Sequence, residues 1–424
     1  MILMAEQVRG EYGAQRHAAG LVKAEAEKDA WPSVVKANAL KAEADKALDV
    51  AKGAVAQLEN LMGRERTQAE REAKRLWGEA MLAQVAWGNA SIAVGAEEFD
   101  RVLANTLEVD DHVDLERFRQ VADHPHFDSK FQAPIPQPAP LQAYPEPVFE
   151  PPTKPAGLAG VFGQRKYQER WAASRADFER RWMAWQADTA QLPTRQLEEL
   201  QAHQAEESER KTNLERDRAQ YDRECEQRQR AVDQRNAELD DFIARYGRGE
   251  ASAVQEYCSI VFEGSVYPEE FEPNAAFDYG QEHRELAVAL ELPSPEMIPA
   301  QRAFKYVKAR DEIDETTLPV KDQRERYTNL ICSIVLRTMH ELWEADRAGH
   351  IDYMSVVAGV DHVDSATGLE TRTPLIAVAV RREDFEELNL ARVTPGETLK
   401  HFTAVLSKNA HALTPISVSD GVRG

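Results

Sequence analysis

Apolar or alanine positions recur at Leu40, Ala44, Leu48, Ala51, Val55, Leu58 and Met62, in steps of three and four. That is the rhythm of a coiled coil. It predicts a helical rod from about Val34 to Trp87, roughly 80 Å long at 1.5 Å per residue. A first helix over residues 5–29, rich in Ala, Glu and Lys, is expected to stop near Pro32. The small alanine seam predicts close packing of a self-associating spacer. Gly88 should loosen the rod. A shorter helix over 96–106 follows, and Val109-Asp110-Asp111-His112-Val113-Asp114-Leu115 leads into another helical piece.

From Pro125 to Pro155 the pattern changes. Prolines 134, 136, 138, 140, 145, 147, 151, 152 and 155 disallow helix and central strand and favour an extended spacer. A second helical region then opens, with Tyr167, Trp171, Phe178, Trp182 and Trp185 on one face. Pro193 is expected to break it, with Thr194 capping the next helix, which runs to about Tyr246. Leu214, Tyr221 and Phe242 fit one heptad position, and Cys225, Val232, Leu239 and Tyr246 another. Arg218, Arg228 and Arg235 interrupt the seam. So thin a stripe needs a partner, within the chain or across a dimer.

The last third has shorter periods. Val254–Phe262 reads as strand or buried helix, and Phe277–Tyr279 with Leu286–Leu292 as a hairpin ending at Pro293. Phe304–Val307 is a further strand. Lys321–Ala348 is an amphipathic helix whose buried side carries Tyr327, Leu330, Ile331, Ile334, Val335, Met339 and Leu342. A strand at Tyr353–Val360, a turn at Asp364–Gly368 and a strand at Leu375–Val380 follow. Helices are expected over Arg381–Leu388 and Leu399–Leu406. The fold class is therefore mainly α with a C-terminal α+β domain. Its parts are a coiled-coil-like helical region over 1–124, a proline-rich linker over 125–160, a long helical arm or hairpin over 161–249 and the α+β domain over 250–418.

Charge narrows the partners. The 424 residues carry 52 Lys+Arg against 73 Asp+Glu, a net −21. Residues 251–424 hold 17 basic and 29 acidic side chains, so that third repels phosphate. The near-neutral stretch 161–247, with 16 and 18, is a better surface for DNA. There Arg165, Lys166, Arg170, Arg175, Arg180 and Arg181 interleave with the aromatic stripe. Aromatics that stack bases beside arginines that hold phosphates make a nucleic-acid face; the same pattern is also that of a buried stripe with a solvated back. No run approaches eighteen apolar residues, and no signal-peptide pattern opens the chain. The expectation is a cytoplasmic protein with no membrane partner.

Catalytic patterns are scarce. GxxxxGK[ST], GxSxG and HExxH are absent, and the cysteines (Cys225, Cys258, Cys332) are far apart, the last two in apolar runs. Asp123-His124-Pro125-His126-Phe127-Asp128 groups imidazoles with carboxylates, but Pro125 stiffens it against converging on a metal. Asp361 and Asp364 stand near the last hairpin turn and Glu291 ends the first. An acid-x-Lys that would complete a Mg²⁺ nuclease site is missing from Leu375–Arg381. No catalytic or metal-binding residue is assigned.

Three stretches carry a family resemblance: Val254–Pro268, Phe304-Lys305-Tyr306-Val307-Lys308 and Leu336–Asp346. They resemble the region preceding the catalytic domain in a group of bacterial Mrr-type restriction endonucleases. Val109–Leu115 and the proline-rich segment extend the resemblance more weakly over 96–160. The resemblance implies defence against foreign DNA, with a C-terminal nuclease domain that carries Gly-x-Asp and Gln-x-Lys motifs for Mg²⁺-dependent cleavage. Here Gly359-Val360-Asp361 has no Gln-x-Lys after it, and the sequence stops at Gly424, where that domain would begin. No catalytic residue carries over. Either the natural chain continues, or this relative has lost its nuclease. The expectation is an oligomerising, DNA-sensing or positioning region with homo-oligomers formed through the helical arms. No cofactor is expected on this chain, and Mg²⁺ only with a nuclease domain. The competing expectation is a non-enzymatic coiled-coil scaffold whose α+β domain binds a protein.

Overall fold

The computed structural model describes residues 28–154, 164–268, 271, 273–364 and 366–417, with residues 18, 21, 22, 25 and 26 before them. The helix expected over 5–29 lies largely outside the described residues, as do the last residues of the proline-rich segment. Two compact units form, Met1–Arg119 with Ala237–Gly424, and Gln120–Asn236. The chain is mainly helical, and its strands lie in the C-terminal third.

In the first unit the predicted rod is two helices, α1 (Pro32–Gln57) and α2 (Gly63–Asp100), which fold back on each other. Gly63, at φ +64°, supplies the left-handed backbone between them, which a residue with a β-carbon adopts only under strain. Ala37, Ala44 and Ala51 are buried on α1 at seven-residue spacing, and Ala73 and Ala80 on α2. The alanine seam is thus closed within the chain. Lys28 meets Glu98 at 2.7 Å, and the Arg101 guanidinium lies 4.7 Å from the Trp31 ring centre, pinning the open end of this hairpin. Gly88 does not loosen the helix; α2 runs through it.

The remainder of this unit is built on a five-stranded sheet ordered β1-β2-β5-β6-β7. Its strands are β1 (Ala275–Gly280), β2 (Glu285–Glu291), β5 (Tyr353–Val363), β6 (Glu370–Arg381) and β7 (Val405–Leu406). Only β2 and β5 pair in parallel. The crossover between them holds a separate two-stranded sheet, β3 (Gln301–Val307) with β4 (Glu312–Thr317), and then a long helix over Val320–Ala345. Val254–Phe262 resolves as helix, within Ala251–Glu263, because its apolar side chains cover more than one face and seven of its thirteen residues are buried. Leu399–Leu406 is split between a short helix, Pro395–His401, and β7. The core gathers Leu286, Leu290, Ile334, Met339, Met354 and Val378, each at 0% exposure.

The second unit is a helix and a strap. The helix, Gln164–Gly247, runs on past the unit's end at Asn236 and is continuous through Pro193, contrary to the expected break. Proline removes the bond to the carbonyl four residues back and strains the turn. Arg195 donates to the neighbouring Asp188 carbonyl at 3.2 Å and to its carboxylate, which bridges that turn. The proline-rich segment is not a free spacer here: it lies along this helix in the opposite direction. Gln120 exchanges two hydrogen bonds with the Asn236 side chain, at 3.0 and 2.9 Å. Tyr221 donates to Pro125 O at 2.8 Å, Ser129 to Asp217 at 2.8 Å, and Arg210 to Phe131 O. His203 Nε2 sits 3.0 Å from Ile135 O, Gln196 accepts the Leu141 N–H at 2.5 Å, and Trp185 donates to Tyr144 O at 2.8 Å. From Gln120 to Tyr144, 24 residues pass 51 of the helix. At 1.5 Å per helical residue that is about 3.2 Å for each strap residue, the rise of an extended or polyproline II chain.

Candidate functional site

Four of the six cations on the expected DNA face are engaged in ion pairs within the helix. Arg165 pairs with Glu169 at 3.3 Å, Arg175 with Glu179 at 3.0 Å, and Arg180 and Arg181 both with Asp177 at 3.1 and 3.0 Å. Lys166 and Arg170 share the same exposed surface. Such pairs are worth only about 0–1 kcal/mol and open readily, so they dilute the positive field without abolishing it. The aromatic stripe is partly covered by the strap: the Phe149 ring lies 5.3 Å from Trp171 and 5.6 Å from Phe178, edge to face. Over residues 164–236 the helix carries 15 basic and 15 acidic side chains.

The hairpin carboxylates do not assemble either. Arg372 grips Asp361 with two bonds of 2.6 and 2.7 Å and holds it below its ordinary range. Asp364 is occupied by the turn, accepting the Ala366 N–H at 2.8 Å and the Thr367 hydroxyl at 3.1 Å. Burial pushes Glu291 up, with Asp361 adding to the shift. In the Asp123–Asp128 run, Pro125 accepts from Tyr221 and the Phe127 ring packs on Tyr221 at 5.3 Å.

The polar groups converge elsewhere, along the C-terminal half of α5, the helix Val320–Ala345 (with α3 for Gln164–Gly247 and α4 for Ala251–Glu263). The segment after α2 is fastened to it residue by residue. Asp110 accepts from Arg347 at 2.6 Å, Glu344 accepts the Asp111 N–H at 3.3 Å, and His112 Nδ1 lies 3.1 Å from Ala345 O. Tyr257 of α4 closes the lock, its hydroxyl accepting the Val113 N–H at 3.1 Å and donating to Ala345 O at 3.0 Å.

Below this lock runs a buried ionic network. Arg337 and Glu341, 6% and 2% exposed, meet at 2.6 Å. Glu341 also accepts from Thr106 at 3.0 Å and Ser265 at 2.7 Å, while Arg337 donates to Val102 O at 3.2 Å and lies over the Tyr267 ring at 4.2 Å. Burial works against the Arg337 charge, but Glu341 and its neighbours outweigh it and hold the guanidinium ionised.

One turn along, Asp111, His340 and Glu344 bring one ligand-competent atom each within 4.8 Å of the others, the one such group among the described residues. His340 Nε2 stands 4.0 Å from Glu344, is shielded from solvent and has no hydrogen-bond partner. Burial pulls the imidazole below its ordinary pKa, against the opposing effect of Glu344 and Glu341. His340 and Glu344 also wall a cleft of about 540 Å³ with Leu107, Trp343, Arg382 and Phe385. No protein-family model, no curated protein and no solved structure matches the chain.

None of these three was assigned from the sequence. His340 and Glu344 stand four apart on one helix face, a readable signal, but Asp111 joins them only through folding, from 229 residues away. Among the described residues, no helix is long and apolar enough to cross a membrane.

Proposed function

We propose that this chain is a non-enzymatic positioning scaffold. The strapped helix is its stiff spacer, and the α+β unit is its docking module for a protein partner. The observation that supports this reading most is the extended strap bonded along the helix from Asn236 to Trp185. A lone helix of such polar composition frays, because its apolar stripe is too thin to hold it. The strap, a segment of the same chain laid along it, supplies the missing contacts without a partner subunit. Inside that unit the helix spans residues 164–236, about 110 Å at 1.5 Å per residue.

The second reading keeps the chain as the DNA-sensing and oligomerising region of a restriction-type endonuclease in defence. Its supports are the family resemblance and a local charge excess: residues 165–181 carry six basic and three acidic side chains. Titration of the purified chain with labelled duplex DNA at 50 and 200 mM salt separates the two. Six phosphate contacts would make log K fall with log salt at a slope of about −5, and exchanging Arg165, Arg170, Arg180 and Arg181 for Gln would flatten it. The scaffold reading expects no binding that the salt or these substitutions change.

A further inference from the structure

We propose that Asp111, His340 and Glu344 form a binding site for a first-row divalent transition ion such as Zn²⁺ or Mn²⁺, which locks the segment after α2 onto α5. The inference is independent of either functional reading.

Geometry comes first. Ions of this class hold nitrogen and oxygen ligands at about 2.0–2.2 Å in near-tetrahedral geometry, so neighbouring ligand atoms stand roughly 3.4 Å apart. The three atoms here are separated by at most 4.8 Å. Closing the remaining distance, up to about 1.4 Å, needs rotation of the two carboxylate side chains toward the imidazole. His340 and Glu344 project from consecutive turns of one helix, and Asp111 is carried to them by a segment bonded on one side to Arg347, just past the end of α5, through Asp110 and on the other to the last residue of α5, Ala345, through His112.

Chemistry agrees with geometry. His340 Nε2 is buried without a partner, and an unsatisfied buried polar atom is unfavourable until something satisfies it. One imidazole with two carboxylates fits a borderline ion better than Mg²⁺ or Ca²⁺, which prefer all-oxygen shells, and no thiolate is present to select a softer one. The ligands are themselves oriented: the Thr106 hydroxyl, shared with Glu341, lies 3.3 Å from Asp111, and the Asp111 N–H donates to Glu344 at 3.3 Å. Arg337, close enough to influence both Asp111 and His340, opposes the ion, but its charge is already engaged by Glu341 at 2.6 Å.

The test uses the full chain, stripped with chelator and titrated calorimetrically with Zn²⁺ and with Mn²⁺. One ion per chain is expected, with a rise in melting temperature. His340→Ala and Glu344→Gln should each weaken binding roughly tenfold or more, while His401→Ala leaves it unchanged. Absence of stoichiometric binding, or equal binding by the site variants, overturns the proposal. X-ray absorption on the Zn²⁺-loaded wild-type chain decides the case even where a variant fails to fold. One imidazole with oxygen neighbours supports the site; sulfur or all-oxygen coordination overturns it.

Discussion

Gly88 faces Phe304 so closely that a β-carbon on the glycine would lie 2.7 Å from the aromatic ring. This contact seats the α1–α2 hairpin on β3. Asn89, the next residue, fixes it by taking the Phe304 N–H at 2.7 Å and donating to the Phe304 carbonyl at 3.2 Å. The backbone of Phe304 is therefore held, and its ring has little room to retreat.

Two effects compete in Gly88→Ala. Alanine favours a helix interior by about 1 kcal/mol, and overpacking a fixed contact costs about 1–3 kcal/mol. The net expectation is destabilisation of the hairpin against β3 by about 1 kcal/mol. In a Phe304→Ala background the clash is gone, and Gly88→Ala should stabilise by about the same amount. Thermal melts of the four proteins give this coupling; additive effects would show that the ring yields freely.

The strap makes a local prediction. Phe149 packs between Trp171 and Phe178 at the far end from Gln120. Phe149→Ala should cost about 1–2 kcal/mol, less than for a fully buried ring because the site is half exposed. Faster hydrogen exchange is expected at the Leu141 amide and along residues 144–154, with the Gln120 amide unchanged. Uniform acceleration along the strap would mean that it binds as one cooperative unit.

Several elements of the α+β unit were legible from their apolar patterns. β2 alternates buried and less buried positions along Leu286, Val288 and Leu290, whereas α5 carries the expected stripe from Tyr327 to Leu342 but is buried on all sides from Leu330 to Met339. The fold-back at residues 58–62 was not legible from heptads, since Leu58 and Met62 continue the rhythm. Its only local mark is Gly63. Pro193 misled for the opposite reason: a strong local rule was overridden by a helix continuous on both sides.

The strap's docking line was hidden because it is polar. Gln196, His203, Arg210 and Asp217 repeat every seven residues and each meets the strap, but a search for apolar periodicity passes over them. The Asp111–His340–Glu344 group was hidden differently. Val109–Leu115 is a short irregular stretch that no periodicity assigns to a partner; its place on α5 is decided by hydrogen bonds to Glu344 and Ala345.

Glu341 is the keystone of the buried network, and removing it should show as a large local effect. Glu341→Ala leaves Arg337 charged and buried with the Val102 carbonyl and the Tyr267 ring as its remaining named contacts. Breaking one partner of such a pair costs about 3–5 kcal/mol, whereas replacing both by apolar residues of similar volume is often neutral. Native-state hydrogen exchange at α5 amides should lose that much protection in Glu341→Ala. The double variant Arg337→Met with Glu341→Met should recover most of it. If the double variant is as weak as the single one, the network's hydrogen bonds to Thr106 and Ser265 matter more than its charge.

His340 gives the pH dependence. The groups facing it are Glu344, Glu341 and Asp111, which favour its protonation, and Arg337 and the surrounding burial, which oppose it. Burial dominates, so the folded pKa lies below the ordinary value of 6.5. A histidine depressed on folding binds fewer protons in the native state than in the unfolded one between the two pKa values, so stability rises with pH there. Its contribution is complete above 6.5 and is lost as pH falls from 6.5 toward the folded value. His340→Gln removes that loss. The melting temperature of the metal-free wild type minus that of the variant should therefore drop as pH is lowered from 7 to 5, while the other histidines cancel in the difference. If the carboxylates prevailed instead, the native imidazole would be the better proton acceptor and the difference would climb as pH falls. The sign of that slope thus reports whether His340 offers a lone pair or a proton at the centre of the cluster.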